Sequence, residues 1–211
     1  MGLTKEGVLE AAVALADEVG GGAPSMRALA KRLGVEAMSL YHHFRNKDLI
    51  LDGMVDRVFS EIALPPEDLE WRAAVRVRGD SMREVLNRHP WAIGLMDSRT
   101  NPGWATLRHH DAMIGCFRAA GFTVAGAAHA VSVVDAYLYG FVLQELSLPF
   151  KGDEVVDVAG GILDGLPKDE FPHLAELIVE HAMKPGYDYT AEFAIGFDLV
   201  LDGLERHRER W

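Results

Sequence analysis

The sequence lacks most of what an extracellular, membrane-bound or metal-dependent protein needs. It has a single cysteine, Cys116, among 211 residues. One thiol cannot staple a chain internally, and the pattern fits a reducing cytoplasm. Cys116 sits among Met113, Ile114 and Phe117, which reads as a small apolar side chain rather than a reactive one. No uninterrupted apolar run approaches the roughly 20 residues needed to span a bilayer, so no membrane partner is expected. The opening Met1-Gly2-Leu3-Thr4-Lys5-Glu6 carries no basic segment followed by an apolar one, so no secretory signal is visible. His-Glu-x-x-His is missing, and the lone Glu-x-x-His, Glu170 to His173, contains Pro172 and has no second copy. The neighbouring histidines His42-His43 and His109-His110 would point about 100° apart on a helix, a poor arrangement for sharing one ion. No metal or cofactor is expected. Neither a nucleophile–base pair nor a paired metal motif stands out, so no enzyme is expected.

What is present is a soluble globular composition, 49% apolar and 25% charged, enough to bury a sizeable core. The net charge of −11 looks wrong for a nucleic-acid binder, but its distribution matters more than its sum. Residues 25–47 hold Arg27, Lys31, Arg32, Arg45 and Lys47 against Glu36 alone, a local +4 on a remainder of −15. A basic island on an acidic body can bind phosphates while the body repels DNA in other orientations.

The periodicity is helical throughout, with no alternating strand, no internal repeat and no low-complexity tail. Val8, Leu9, Ala12, Val13, Ala16 and Val19 form one apolar stripe, stopped by Gly20-Gly21-Gly22. Ser25 is an N-cap for a second, short helix with Met26, Leu29, Ala30 and Leu33 inward. Gly34 turns the chain, Val35 opens a third helix with Leu40 and Phe44 inward, and Asn46 caps a fourth carrying Leu51, Val55, Val58 and Ile62. Pro65-Pro66 then breaks the chain. Two domains are expected, 1–63, with a linking helix over 47–63, and 64–211. The second should hold helices over 67–88, 90–97, 103–119, 124–146, 153–165, 168–184 and 188–209. The segment 124–146 is apolar nearly all round and should be covered on every side. The last helix has two apolar faces, Phe193, Phe197, Val200 and Leu204 on one, Ile195 and Leu199 on the other.

Two short helices joined by a glycine turn cross steeply and project the second away from the body. Ala37, Met38, Ser39, Tyr41 and His42 lie on its outward side. Ala and Met can touch a thymine methyl, while Ser, Tyr and His can hydrogen-bond bases or phosphates. Ser25, Arg27 and Lys47 stand at helix N-termini, where backbone N–H groups also attract phosphate.

The run Met26-Arg27-Ala28-Leu29-Ala30, Leu33-Gly34-Val35, Leu40-Tyr41-His42-His43-Phe44 and Asn46-Lys47-Asp48-Leu49 closely resembles the DNA-binding domain of the tetracycline-repressor (TetR) family. The match covers about residues 4–63. The resemblance implies an all-α fold, an N-terminal three-helix helix-turn-helix domain plus a larger C-terminal helical effector and dimerisation domain. It implies that Arg27, Ala37, Met38, Ser39, Tyr41, His43 and Lys47 stand where family members contact double-stranded operator DNA. It further implies a homodimer built from two late helices, here 124–146 and 188–209, with Val134, Leu138, Ile195 and Leu199 as candidate interface residues. Trp91, Met96, Trp104, His109, Met113, Tyr137 and Phe141 come from helices that in this family surround a ligand cavity, and their mix suits an apolar or aromatic effector. Ala63 and the stretch Met96–Thr100 stand where tetracycline-responsive members carry histidines, so a tetracycline–magnesium effector is not expected. The implied function is a ligand-released repressor. The competing readings are a ligand-independent DNA-binding dimer and a helical-bundle enzyme with an incidental helix-turn-helix.

Overall fold

Each N-terminal helix begins where a side chain can take up an orphan backbone N–H. In the computed structural model, which describes residues 3–20, 22–96, 98–150, 152 and 154–210, Thr4 accepts from the Gly7 N–H and starts α1 (Lys5–Val19). Ser25 accepts from Ala28 at 3.1 Å to start α2 (Met26–Leu33), and Asn46 accepts from Leu49 at 3.0 Å to start α4 (Lys47–Glu61). Gly34 ends α2 with φ +66, a conformation that a side chain would strain. Val35 does not open the next helix as expected. Its N–H bonds back to the Ala30 carbonyl at 3.1 Å, so α3 starts later, over Ala37–His43.

The C-terminal region follows with α5 (Trp71–Arg88), α6 (Ile93–Met96), α7 (Trp104–Ala119), α8 (Val124–Ser147), α9 (Glu154–Gly165), α10 (Pro172–Leu177) and α11 (Glu192–His207). Three expected helices change form. Helix α5 starts at Trp71 rather than 67, because the Glu70 carboxylate accepts from the Arg72 N–H and sets the start there. The segment 90–97 is a single 3₁₀ turn, Pro90–Ala92, running into α6, with Asp97 outside the described residues. The single helix expected over 168–184 begins only at Pro172 and widens into a π turn over Ile178–Ala182, where Met183 N–H reaches Ile178 O at 2.9 Å. Among the described residues there is no strand.

Two packed groups share α4. On one side it lies against α1, within a small core that includes Val8, Leu29, Leu40 and Phe44; on the other it lies against α7. Helices α5, α7, α8 and α11 form the larger bundle around Phe117, Phe122, Leu138, Phe197 and Leu201, all fully buried. By length and composition α8 could cross a membrane. Here it is a bundle helix, with Ala127, Val134, Leu138 and Val142 buried among its neighbours. It is not covered on every side, since Val124, Val133 and Leu143 remain exposed.

That pattern corrects half of the expected dimer surface. Val134 and Leu138 are fully buried within the subunit, so they cannot meet a partner. Ile195 and Leu199 on α11 do stand out, 57% and 66% exposed, while Phe193, Phe197 and Leu204 of the same helix are buried.

Candidate nucleic-acid interface and effector cleft

Helix α3 has seven residues and only one of them, Leu40, is buried; Phe44 just beyond its end locks it to the small core. The rest of the helix is therefore free to face outward. Met38 is 69% exposed, and Tyr41 is also exposed. His42 is exposed beside them, whereas Ala37, Ser39 and His43 are half-buried. Arg27, in the first turn of α2, and Lys47, the first residue of α4, are both exposed and flank α3. The Ser25 oxygen is committed to the Ala28 N–H, so what it retains for a phosphate is its O–H donor. Two basic residues behave in ways the sequence did not announce. Arg32 is paired with Glu18 at 2.6 Å, and Lys5 reaches over the Phe44 ring at 6.0 Å, adding a cation at the end of α3.

The head is joined to the bundle by polar contacts as well as by α4. Asp56, midway along α4, accepts from the Thr106 N–H at 2.8 Å and its hydroxyl at 3.1 Å, so a side chain of one helix caps the start of α7. Gly103 permits this, because a Cβ there would lie 2.1 Å from the Asp56 carboxyl carbon. His89 lies between Asp17 of α1 at 2.8 Å and Glu61 of α4 at 3.3 Å, and Trp91 donates to the same Asp17 at 2.6 Å. Any shift of α4 must disturb the bonds made by Asp56 and Glu61.

The seven expected pocket residues do not converge. Trp91 is spent on the Asp17 contact and Trp104 is 82% exposed at the first position of α7. Tyr137 and Phe141 are core aromatics, stacked or tilted against Phe193, Phe197 and Tyr189, with the Tyr137 hydroxyl donating to the Phe193 carbonyl at 2.9 Å. Met113 is buried in the same bundle core. Met96 borders a small cleft of about 190 Å³ under Arg99 and Pro102. The expectation rested on helices that surround a cavity in the resembled family, but large flat rings on those helices serve a packed core equally well.

A larger cleft, about 890 Å³, lies elsewhere, at the joint between α4 and α5. Pro65, Leu69 and Trp71 form one side, and Ala112, Gly115 and Ala119 of α7 the other. Cys116 is in its wall, half-buried, with burial and the nearby Glu70 raising its thiol pKa, which keeps the thiol mostly protonated at neutral pH and slows its reactions without blocking access to it. Among the described residues no three His, Cys, Asp or Glu side chains gather as a metal site. His109 and His110 diverge, the first buried and the second exposed.

His109 is the strongly perturbed group. It is 4% exposed, packed on Phe59 at 5.7 Å, with its Nδ1 lacking a partner among the described residues. Burial, then the nearby Arg78 charge, push its pKa down from 6.5 to about 4. Between these values the unfolded chain binds the proton more readily, so the contribution is intact above pH 6.5 and disappears as pH falls toward 4. Acidification from pH 7 to pH 5 should therefore cost about 2 kcal/mol of folding stability through this one group. Urea unfolding of the wild type and His109→Phe across that range checks it, since the variant should lose most of the slope.

The chain matches the family described as “Bacterial regulatory proteins, tetR family” over residues 8–54, and “Tetracyclin repressor-like, C-terminal domain” over residues 64–208. It is 38% identical over 144 residues to an HTH-type transcriptional regulator of Saccharopolyspora erythraea, covering 68% of this chain and 61% of that protein's length. It is 29% identical over 204 residues to the tetracycline repressor protein class A of Escherichia coli, covering 95% of this chain and 90% of that protein. The crystal structure of apo ActR from Streptomyces coelicolor is similar at a TM-score of 0.82 and 25% identity, covering 100% of this chain and 99% of that one. The helix-turn-helix with its outward α3, the helical C-terminal region and both matches agree: the chain belongs to the TetR family of DNA-binding transcriptional regulators.

Proposed function

We propose that this chain is a ligand-released repressor whose homodimer occupies a palindromic operator from the cytoplasm, with residues 1–63 as reading head and 64–211 as effector and dimerisation domain. The observation that carries the reading is α3, where Met38 and Tyr41 are exposed between the cationic flanks Arg27 and Lys47. Release requires a ligand that prefers one arrangement of the heads over another, or it shifts nothing. Helix α4 supports that step, because it touches the head through α1 and the bundle through α7 and Asp56. ActR, similar in fold, has been solved with actinorhodin, which favours a small organic effector here over a ligand-independent dimer.

Lys47 and Met38 divide the work of binding. Lys47 carries charge but no sequence information, so Lys47→Ala should weaken specific and non-specific DNA alike and lower the salt slope by about one unit per half-site. Met38→Ala should leave that slope alone and cost on the order of 1 kcal/mol against particular operator base pairs. Binding of both variants to a randomised operator library at two salt concentrations tests this. If Met38→Ala instead lowered the melting temperature and weakened all sequences equally, Met38 would be packing rather than reading, and the assignment of α3 would fall.

A further inference from the structure

We propose that the cleft at the α4–α5 joint binds a bulky apolar organic cation. Its volume, about 890 Å³, is within the range of small-molecule sites. Between Asp111 on the rim and Ala120, the wall from α7 is made of Ala112, Gly115, Cys116 and Ala119, so no long side chain enters from that side. Nothing lies within 4 Å of where a Gly115 Cβ would stand, which shows the space is open at that point. The opposite side is apolar, and Trp71 within it is held in place by Phe117 at 5.6 Å, Phe122 at 5.5 Å and a hydrogen bond from its indole N–H to Glu205.

The sign of the charge comes from the rim. Glu67, Glu70 and Asp111 border the cleft against one cation, Arg208, which already meets Glu205 at 3.3 Å and the Ala120 carbonyl at 3.4 Å. Burial first, and then the Glu70 charge, raises the pKa of the Cys116 thiol in the wall, in keeping with Glu70 standing close to it. An apolar body with positive charge therefore matches walls and rim together, whereas an anion of the same shape meets the carboxylates of Glu67 and Asp111, beside a Glu70 already engaged at the start of α5. The site is distinct from the aromatic cluster of Tyr137 and Phe141, and it adjoins Leu64, Pro65 and Pro66, the residues that join α4 to the bundle.

Tetraphenylphosphonium and tetraphenylborate, alike in size and shape but opposite in charge, are the probes. Calorimetry on the full-length protein should find one saturable site per chain for the phosphonium and binding at least about tenfold weaker for the borate. Cys116 is the only thiol in the chain, so the phosphonium should also slow its alkylation by iodoacetamide. Gly115→Phe, which fills the cleft and improves helix propensity at that position, should abolish both effects. The double variant Glu67→Gln, Asp111→Asn, at two exposed positions, should weaken the phosphonium alone. Equal binding of the two probes, an unprotected Cys116, or unchanged binding to Gly115→Phe would each overturn the proposal. Operator binding with and without the phosphonium then tests the ligand-release reading separately. Occupied clefts with unaltered operator affinity would leave the site standing and count against release through it.

Discussion

Asp135→Ala should destabilise the folded chain by about 3–5 kcal/mol, because it strands a buried guanidinium. Arg78, on α5, is 2% exposed and donates from Nη1 to Asp135 of α8 at 2.7 Å. Its Nε finds no partner among the described residues, so Asp135 carries most of the compensation for that charge. Truncation leaves the desolvation cost in place and removes what offsets it. Pairs at the α5–α11 edge, Arg72–Asp202 and Arg76–Asp198, are a third to a half exposed and screened by solvent, and losing a carboxylate there should cost far less than losing Asp135. Urea denaturation of Asp135→Ala and Asp198→Ala makes the comparison. The double variant Arg78→Met, Asp135→Leu should recover most of the loss, since two apolar groups need no pairing. If it were as unstable as Asp135→Ala, cavity or shape effects would account for the loss and the charge argument would fail.

Leu199→Glu should leave the subunit folded but sediment as a monomer. The residue is 66% exposed on the outer face of α11, and Ile195 one turn earlier is 57% exposed. Helix α11 packs beside α8, whose Val133 and Leu143 are also exposed, so the two helices present an apolar surface with no cover from within the chain. At a two-fold interface each substitution introduces two carboxylates into an apolar contact. Loss of the dimer removes the tethering of the two heads, which should weaken operator binding by on the order of 10²–10⁴-fold. Analytical ultracentrifugation and a gel-shift titration read the two effects, and an unchanged melting transition at high dilution separates dissociation from unfolding. A Leu199→Glu protein that still dimerises would place the interface elsewhere.

Most of the helix-turn-helix was legible from residue order because local rules govern it. A serine or asparagine before an apolar run caps a helix wherever it stands, and Gly34 turns the chain because a left-handed residue is needed there. Leu40 and Phe44, four apart, share the inner face, which leaves Met38, Tyr41 and His42 outside without reference to any distant element. Val35 was misread by one feature of the same turn, the bond from its N–H to Ala30.

Little in the larger bundle could be read that way. An all-apolar helix has no polar face to say which side is inward, so whether Val134 or Val133 meets a partner depends on where α5, α7 and α11 lie. Trp104 is as apolar as Trp91, yet its place just after Gly103, at a start capped by Asp56, turns it to solvent. The one signal for the cleft that residue order did contain was the spacing of Ala112, Gly115 and Ala119 on one face of a helix, which means nothing until Pro65 and Trp71 are brought opposite. The sequence by itself therefore determined the caps of the N-terminal helices, the Gly34 turn and which side of α3 faces outward, whose forces act within a few residues. The buried Arg78–Asp135 pair, the depressed His109, the outward Leu199 and the acidic cleft were decided by the tertiary structure, because burial and electric field depend on neighbours dozens of residues away in the chain.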